Sequence, residues 1–371
     1  MRSPSWARVF RPALFPLPLV PPAANLQDIA NRAGVHRSTV ALALRDSPRI
    51  SSATRKRVQK IARELGYRPN PLVTALMTAR RSGKPVKHVT LAYVTNYPTR
   101  FGWRPEYHDR PDYFPGAEQR ALDFGYKVEH FWLREPGMTP VRFSDILAAR
   151  GIHGVMIGRL PPGEHTLELA WARFSAVAVG LTLHTPLLHQ VAENHFEAAA
   201  QALRQCTARG YRRIGLVYSE ADDSPRVGHR WLSAFAGYQM ELPAEWRVPL
   251  CPGVPASEAE FVRWFREHRP EALLVTHARP VLAWLGRMKL VVPCDVGLVD
   301  LAGDHPELAC AGVHCAAARI GALAVETLVG MLHRGEQGVR TMCQESLLSG
   351  EWREGSSLPP RTPALAAPAG A

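Results

Sequence analysis

Residues 26–67 read LQDIANRAGVHRSTVALALRDSPRISSATRKRVQKIARELGY, and this stretch contains three apolar stripes in succession. In each stripe the apolar side chains recur three and four residues apart, which predicts an amphipathic helix with one buried face. The predicted helices cover 26–33, about 37–45 and 52–65. Gly34 allows the turn after the first helix, Ser51 is a suitable N-cap for the third, and Gly66 ends the third. The stretch therefore predicts a three-helix unit with a small core.

The positive charge of the chain is concentrated in its first quarter. Residues 1–88 hold 17 Lys and Arg against 3 Asp and Glu, a net charge of +14. The remaining 283 residues hold 28 basic and 30 acidic side chains, so the whole excess of +12 comes from the first segment. A separate basic segment indicates a polyanionic partner, either nucleic acid or a membrane surface.

From Val89 onward, strand patterns and helix patterns alternate along the chain. Apolar runs predict strands at 89–95, 128–132, 154–158, 176–181, 213–218, 272–276 and 296–301. Helical patterns lie among them at 117–124, 143–149, 196–209, 227–238, 258–268, 281–289 and 316–332. Repeated alternation with apolar strands predicts parallel sheets covered by helices, and this many elements fits two doubly wound lobes better than one.

Both ends of the chain are predicted to be disordered. Residues 1–24 begin like a secretory signal, but four prolines between Pro12 and Pro21 interrupt the apolar stretch that a signal needs as a helix. We therefore expect residues 1–24 to be either a disordered leader or the product of a start codon assigned too early, and we expect a disordered tail at 356–371, which is rich in Pro and Ala. No apolar run approaches the roughly 18–20 residues of a membrane span.

The residue types of an enzyme or metal centre are not arranged in any recognisable motif. There is no Walker loop, GxSxG or HExxH sequence, and the six cysteines form no CxxC pair. His184 and His189 lie five residues apart in a loop without a neighbouring acid or cysteine, which favours two surface histidines over a metal site. We expect reduced thiols in a cytosolic protein, with no catalytic centre, metal or cofactor.

A helix, a glycine-containing turn and a second helix within a basic segment form the arrangement of a helix-turn-helix. The first and third helices support the second, whose N-terminal end can then enter the major groove of DNA. His36, Arg37 and Ser38 project beyond the apolar underside of that helix. The free backbone N–H groups at the same end favour a nearby phosphate.

Residues 26–76 also resemble, without a gap, the N-terminal region of the lactose/galactose-repressor (LacI/GalR) family of bacterial transcriptional regulators. The shared motifs are DIANRAGV (28–35), TV (39–40), ISSATR (50–55) and LGYRPN (65–70). The resemblance implies an all-α helix-turn-helix domain at 25–69 and a hinge helix with a linker at 70–88. Residues 89–355 resemble the effector-binding and dimerisation domain of the family.

That second domain is expected to have a periplasmic-binding-protein-like fold, in which two α/β lobes with doubly wound parallel sheets enclose a cleft. Lobe 1 is expected at about 89–190 plus 316–335. Lobe 2 is expected at about 191–315 plus 336–355. The strand and helix alternation supports the same two-lobed interpretation independently of the resemblance.

The resemblance assigns DNA contacts to particular residues. Arg37 and Ser38, beside His36, are the candidates for reading bases at the start of the reading helix. Leu76 corresponds to the leucine that family dimers insert into the minor groove at the operator centre, which kinks the DNA. The full set of DNA-binding candidates is Leu26, Gln27, His36, Arg37, Ser38, Thr39, Leu42, Arg45, Arg49, Ser51, Thr54, Asn70, Val73 and Leu76.

The chain departs from the family pattern at several of these positions. The family usually has serine where His36 stands, and serine and arginine where Ala41 and Leu42 stand. Arg45 occupies a position where asparagine is common, and Val73 replaces an alanine near the hinge. These departures concern which operator is read rather than whether DNA is bound.

The resemblance over the effector domain is looser and gives five candidate residues for effector binding. Tyr113 and Phe114 would form an aromatic wall on the first lobe, which suits the apolar face of a sugar or a base. Arg230 would clamp the effector from the second lobe through its guanidinium group. Asp300 and Asp304 would accept hydrogen bonds from effector hydroxyl groups.

Two departures affect this effector site. Val299 stands where the family often has a ligand-binding acid, and Glu193 stands where aspartate is frequent at the lobe crossing. Because the Val299 side chain cannot accept a hydrogen bond from a hydroxyl group, the sequence supports an ordinary sugar effector less strongly than the family pattern would.

The sequence therefore predicts a DNA-binding transcriptional regulator, most often a repressor in this family, whose operator affinity is controlled allosterically by a small molecule such as a sugar. The expected partners are double-stranded DNA with a near-palindromic operator, the effector, and a second copy of the chain. Two alternatives are a solute-binding sensor that does not touch DNA and an enzyme on the same fold. The basic N-terminal segment disfavours the first, and the absence of a catalytic motif disfavours the second.

The predicted wedge residue gives a direct test. Leu76→Ala should weaken binding to the specific operator much more than binding to unrelated duplex DNA, because only the specific complex contains the central kink. Both affinities are measured by fluorescence anisotropy with the full chain. An equal loss on the two DNAs would show that the wedge role is wrongly assigned.

Overall fold

The computed structural model describes residues 26–44, 47–65, 67, 89–104, 112–218, 226–251, 257–301 and 308–361. The chain divides into two compact units, residues 1–69 and 70–371. The predicted leader and hinge lie outside the described residues. The same is true of five candidate site residues, Arg45, Asn70, Val73, Leu76 and Asp304.

The first unit contains three helices around a small core. The helices are α1 (Leu26–Ala33), α2 (Arg37–Ala43) and α3 (Ser52–Glu64). Between α1 and α2, Gly34 has a φ of +61°, a left-handed conformation that glycine adopts without strain. The predicted apolar stripes form the buried core of Ile29, Ala30, Ala33, Val40, Ala43, Val58 and Ala62. Because most of these side chains are alanine or valine, the three short helices can approach closely.

The second unit is built on two sheets. The strands of the first sheet are β1 (Val89–Thr95), β2 (Tyr126–Trp132), β3 (Gly154–Ile157), β4 (Ser175–Val179), β5 (His189–Glu193) and β10 (Glu345–Leu348). The strands of the second are β6 (Ile214–Val217), β7 (Ala272–Val275), β8 (Gly297–Asp300), β9 (Ala311–His314) and β11 (Glu351–Arg353). Their orders are β10-β5-β4-β3-β1-β2 and β11-β9-β8-β7-β6. Every neighbouring pair is parallel except β9 and β11.

Seven further helices lie between these strands in the described part of the chain. They are α4 (Phe114–Asp123), α5 (Pro140–Ala149), α6 (His195–Ala208), α7 (Arg230–Glu241), α8 (Glu258–His268), α9 (Ala278–Arg287) and α10 (Ala317–Arg334). Each corresponds to a predicted helix, and α8 has the predicted bounds because a capping box between Ser257 and Glu260 marks its start. None of the helices in the described ranges combines the length and apolar character that crossing a membrane requires.

The chain passes between the two sheets three times in the described residues. It leaves the first sheet after β5, returns to it with α10 after β9, and leaves again between β10 and β11. The prediction of two α/β lobes with parallel sheets, following a helical N-terminal unit, is confirmed.

The predicted boundaries between the lobes are wrong at two places. The segment 345–348, predicted in lobe 2, forms β10 and pairs in parallel with β5 in the first sheet, Leu348 opposite Glu193. Residues 191–193 belong to the same sheet, although the prediction began lobe 2 at 191. These short strands carry little periodic signal, so their sheet is decided by long-range pairing rather than by local sequence.

The segment 356–361, predicted as the beginning of a disordered tail, packs against the second sheet. The Leu298 N–H donates to the Ser357 carbonyl (2.9 Å), and the Ser357 hydroxyl donates to the Leu298 carbonyl (2.6 Å). Leu358 is 1% exposed and belongs to the hydrophobic core that also contains the buried side chains of α6. The prediction was wrong here because a composition rich in Ser and Pro does not reveal backbone pairing with a distant strand.

In the first lobe, α4 and α10 touch through their backbones. A Cβ atom on Gly321 would lie 1.9 Å from the Tyr113 carbonyl oxygen, and one on Gly116 would lie 1.9 Å from the Ala318 carbonyl oxygen. No side chain fits at such separations, so the two glycines permit this helix crossing. The crossing sets the position of Tyr113, which precedes α4.

Gly321→Ala should therefore destabilise the second unit by about 1–3 kcal/mol, because the backbones of α4 and α10 must separate to admit a methyl group. Gly237→Ala is the matched control, since Gly237 also lies in a helix but has open space, with no atom within 4 Å, where a Cβ atom would lie. The control should be neutral or should stabilise the unit by up to about 1 kcal/mol through helix propensity. Urea unfolding followed by circular dichroism measures both, and equal effects would contradict the close-contact explanation.

Candidate nucleic-acid interface and effector pocket

The N-terminal end of α2 presents three exposed side chains, His36, Arg37 and Ser38. On the opposite face of the helix, Val40 and Ala43 are fully buried in the core of the first unit. Thr39, Ala41 and Leu42 are half-buried. The polar and apolar residues of the helix are therefore separated by face, and the polar ones are gathered at the end where base reading is predicted.

His36 is the N-cap of α2. Its Nδ1 atom accepts a hydrogen bond from the Ser38 backbone N–H (3.3 Å) and lies 2.8 Å from Ser38 Oγ. Histidine is a less common N-cap than serine, but its ring nitrogen satisfies one of the unpaired N–H groups at the helix start. The departure from the family serine therefore preserves a side-chain cap.

The other DNA-binding candidates among the described residues precede or follow α2 in the sequence. Gln27, Arg49 and Ser51 are exposed, and Leu26 and Thr54 are half-buried. Ser51 caps α3, since its Oγ accepts from the Thr54 N–H (3.2 Å) and donates to Thr54 Oγ1 (2.9 Å). Gln27 donates from Nε2 to Asn31 (2.9 Å). Arg49 is the member of this group that carries a positive charge.

The described part of the first unit has a strong excess of positive charge. Residues 26–44 and 47–65 contain eight Arg and Lys residues and only two acids, Asp28 and Glu64. Arg32 and Lys60 each lie 3.9 Å from Glu64, and exposed pairs at this distance contribute little. The surface of the unit therefore attracts polyanions.

A small pocket lies at the carboxyl ends of strands in the first sheet. Its lining residues are Tyr93, Thr95, Tyr97, Trp103, Asp112, Tyr113 and Arg159. Tyr93 and Thr95 come from β1, and Arg159 follows β3. Ligands of parallel α/β sheets bind at this edge of the strands, which makes the pocket the candidate effector site.

Aromatic rings form one wall of the pocket. The Tyr93 ring packs against those of Trp103 and Phe114 at centroid distances of 5.3 and 5.2 Å. Asp112 supports this wall by accepting from Arg104 (2.9 Å) and from the Phe114 backbone N–H (3.0 Å). Both predicted first-lobe residues, Tyr113 and Phe114, thus lie at the pocket or directly against it.

Glu193 lies behind the pocket at the first lobe crossing. Its carboxylate accepts from the Tyr113 hydroxyl (3.1 Å) and lies 3.3 Å from Nδ1 of His195. Burial raises the pKa of Glu193, but the charges of His195 and Arg159 and the hydrogen bonds from Cys315 and Tyr113 outweigh it, so the pKa is below its ordinary value. Burial and the nearby Glu193 raise the pKa of Tyr113 well above its usual range, so its hydroxyl remains a donor.

His195 continues the contact into the second lobe. It is the first residue of α6, is 9% exposed, and packs against the Trp231 ring at a centroid distance of 4.2 Å. Trp231 lies in the first turn of α7 and is 2% exposed. The pocket wall is thus connected to α7 through Tyr113, Glu193, His195 and Trp231.

His130 lies beneath the aromatic wall. Its Nε2 atom is 2.7 Å from the Thr95 hydroxyl, and its ring packs on Trp103 at 4.9 Å. Burial, together with the charges of Arg100 and Arg104, lowers the pKa of His130 from 6.5 to about 4. His130 is therefore neutral at physiological pH and accepts or donates a single hydrogen bond toward Thr95.

Arg230 and Asp300, the other predicted effector residues that the structure describes, lie elsewhere. Arg230 is not among the residues that line the pocket; its Nη2 atom donates to Glu345 (2.7 Å), an ion pair between α7 and β10. Asp300 ends β8 in the second sheet and is 4% exposed. The structure therefore brings Tyr113 and Phe114 together but does not bring Arg230 or Asp300 into the same pocket wall.

Most of the pocket residues were not predicted from the sequence. Tyr93 and Thr95 had a usable signal, because they end the first predicted strand, and Arg159 directly follows the third. Trp103 had no such signal, since it reaches the pocket through the irregular segment after β1. Trp231, which contacts His195 behind the pocket, was not predicted either, although it directly follows the candidate Arg230.

Two parts of the chain match known protein families. Residues 25–70 match bacterial regulatory proteins of the lacI family, and residues 203–358 match the periplasmic binding protein-like domain. The chain therefore combines a lacI-family N-terminal domain with a periplasmic-binding-protein-like domain. It is accordingly a DNA-binding transcriptional regulator with an effector-binding domain and not an enzyme, which confirms the prediction from the sequence.

Proteins of similar sequence include two HTH-type regulators of Escherichia coli strain K12. The transcriptional regulator GntR is 26% identical over 333 residues, covering 84% of this chain and 92% of the relative. The transcriptional repressor CytR is 48% identical over 199 residues, covering 53% of each chain.

Solved structures with a similar fold include the lac repressor dimer bound to operator and the anti-inducer ONPF. It has a TM-score of 0.52 at 17% identity and covers 91% of this chain and 99% of its own. The complex of the transcriptional regulator CelR with cellobiose has a TM-score of 0.51 at 19% identity and covers 90% and 99%. At these identities the likeness concerns the fold.

His130 should make the stability of the second unit depend on pH. Its folded pKa of about 4 lies below the ordinary 6.5, so the unfolded chain binds a proton first as the pH falls. The stabilisation from neutral His130 is therefore present above about pH 6.5 and is lost as the pH falls toward about 4. His130→Gln, which keeps a polar partner for Thr95, should reduce the loss of stability between about pH 7 and pH 5 in urea unfolding.

The matched control is His153→Gln, at an exposed position after α5. This control should lose as much stability on acidification as the unsubstituted chain. If His130→Gln behaves like the control, buried His130 is not responsible for the pH dependence.

Proposed function

We propose that two copies of this regulator bind a near-palindromic operator in double-stranded DNA and repress transcription, and that a small molecule bound between the lobes controls the binding. The proposal places the reading helix of each copy in a major groove, with Arg37 and Ser38 as the residues that contact base edges. It also requires the protein to act in the cytoplasm, where bacterial DNA lies.

The electrostatics of the first unit carry the DNA part of the proposal. The basic surface supplies attraction that is independent of sequence, and the exposed end of α2 supplies side chains for base contacts. Repression is supported by the relative CytR, which is a transcriptional repressor. The alternative of a sensor without DNA binding does not agree with the lacI-family match over 25–70.

The pocket supports a small polar effector with a flat apolar face, such as a sugar. Tyr93, Trp103 and Tyr113 contribute aromatic rings to the lining, and Thr95 and Arg159 contribute hydrogen-bonding groups, so a sugar would enter as these buried rings move apart. The related fold of CelR is known with cellobiose, which agrees with a sugar. Thermal-shift measurements with sugars, nucleosides and small acids identify the class.

The contacts at the lobe crossings support allosteric control. Glu193 lies at the first crossing and accepts a hydrogen bond from Cys315, which lies at the second. Because Glu193 also accepts a hydrogen bond from Tyr113, a ligand in the pocket would contact a residue that is bonded to the first crossing and, through Glu193, linked to the second. Effector binding can then favour one relative arrangement of the lobes, which is the differential contact that allostery needs.

DNA binding by the full chain is tested by its dependence on salt. An operator is obtained by selection from random duplexes, and its dissociation constant is measured between about 50 and 200 mM salt. The affinity should fall steeply, by about three orders of magnitude or more if six or more phosphates are contacted. Absence of binding at low salt would refute the proposal.

Arg37→Ala should weaken specific binding by about 10- to 100-fold and relax the preference at one base pair. Arg57→Ala is the matched control, since Arg57 is an exposed arginine of the same unit but belongs to α3 and is not a base-reading candidate. The control should change the affinities for the operator and for unrelated DNA by the same factor. The same result for Arg37→Ala would remove it from the base-reading set.

A further inference from the structure

His36 and Ser38 form a hydrogen-bonded pair at the end of α2 that faces solvent. Nδ1 of His36 accepts from the Ser38 backbone N–H at 3.3 Å and is 2.8 Å from Ser38 Oγ. Both side chains are exposed, and Ser38 is one of the two candidates for reading bases. The hydrogen-bonding state of this pair therefore determines which groups the helix end presents to a partner.

The backbone contact fixes the positions of the protons in the pair. A backbone N–H can only donate, so Nδ1 acts as an acceptor and carries no proton, and the neutral ring has its proton on Nε2. The short contact between Nδ1 and Ser38 Oγ then requires the serine O–H as its donor. Ser38 Oγ consequently offers only lone pairs to a partner, while a serine without this contact can either donate or accept.

We infer that His36 is a positioning residue that makes Ser38 an obligate hydrogen-bond acceptor, so that Ser38 selects an exocyclic amino group of adenine or cytosine in the major groove. These amino groups are the hydrogen-bond donors on the major-groove edges, whereas guanine and thymine present acceptors there. The inference rests on the proposed function, because it requires the end of α2 to face base edges.

A purely structural role for His36 predicts a different result. If His36 only caps α2, its loss weakens the helix and lowers the affinity for all DNA sequences together. The chain contains a suitable comparison in Ser51, which caps α3 by accepting from the Thr54 N–H and donating to the Thr54 hydroxyl. Loss of the Ser51 cap removes a similar interaction outside the α2 end.

The experiment uses the full chain and the selected operator, with single functional groups of the bases deleted. Purine in place of adenine, and 2-pyrimidinone in place of cytosine, each lack the exocyclic amino group, while 7-deazapurines lack the N7 acceptor. One amino deletion should lower the affinity of the unsubstituted protein by about 2- to 10-fold and should have no effect on Ser38→Ala. Deletion of N7 at the same base pair should affect both proteins equally.

The inference is overturned if Ser38→Ala abolishes the effect of deleting an acceptor atom instead of an amino group. It is also overturned if Ser38→Ala abolishes the effect of no base deletion. If the unsubstituted protein does not discriminate the operator from other DNA, the proposed function fails, and that result differs from either of these.

Variants of His36 then separate positioning from capping. His36→Phe keeps a ring but has no acceptor. The factor by which deletion of the amino group lowers the affinity should therefore decrease by at least about twofold. His36→Asn should restore this factor, because the amide oxygen accepts from both the N–H and the O–H of Ser38. Ser51→Ala should lower the affinities for intact and amino-deleted operators by the same factor. An unchanged factor in His36→Phe, or a decreased factor in His36→Asn, overturns the inference.

Discussion

The carboxylate of Glu193, whose side chain is 13% exposed, is the constraint on which the arrangement of the second unit depends. A charge in the interior is tolerated only when other groups compensate it, and here Tyr113, His195 and Cys315 converge on the same two oxygen atoms. These partners come from the start of α4, the start of α6 and the segment before α10. The requirement to satisfy one acid therefore holds together the pocket wall and two of the segments that connect the lobes.

The close contact of α4 and α10 adds a second constraint at the same place. With backbone atoms in contact at Gly116 and Gly321, α4 cannot shift independently of α10. Tyr113 directly precedes α4, and Cys315 lies in the segment before α10. The N-terminal ends of both helices are therefore hydrogen-bonded to Glu193 through these residues. A displacement of Tyr113 would thus act on a closely packed helix pair rather than on one flexible side chain.

The first unit is organised on a different principle. Its core is small and consists of short apolar side chains, so most of its surface is available for polar and basic groups. The chemistry presented at the end of α2 depends on local contacts within three residues, where His36 both caps the helix and orients Ser38. The contacts at the end of α2 are therefore made by close neighbours in sequence, and the contacts around the pocket of the second unit are made by distant ones.

Much of this organisation follows from the sequence by itself. The three helices of the first unit, their buried faces and the concentration of basic charge are local properties, because helix periodicity and capping act over a few residues. The alternation of apolar strands and helices likewise predicts two lobes with parallel sheets, and Tyr113 and Phe114 are found at the pocket. Only the tertiary structure decided that β10 joins the first sheet, that 356–361 pack against the second, and that Arg230 pairs with Glu345. The physical reason is that strand pairing, burial of a tail and ion pairing join residues far apart in the chain, and no local pattern specifies the partner.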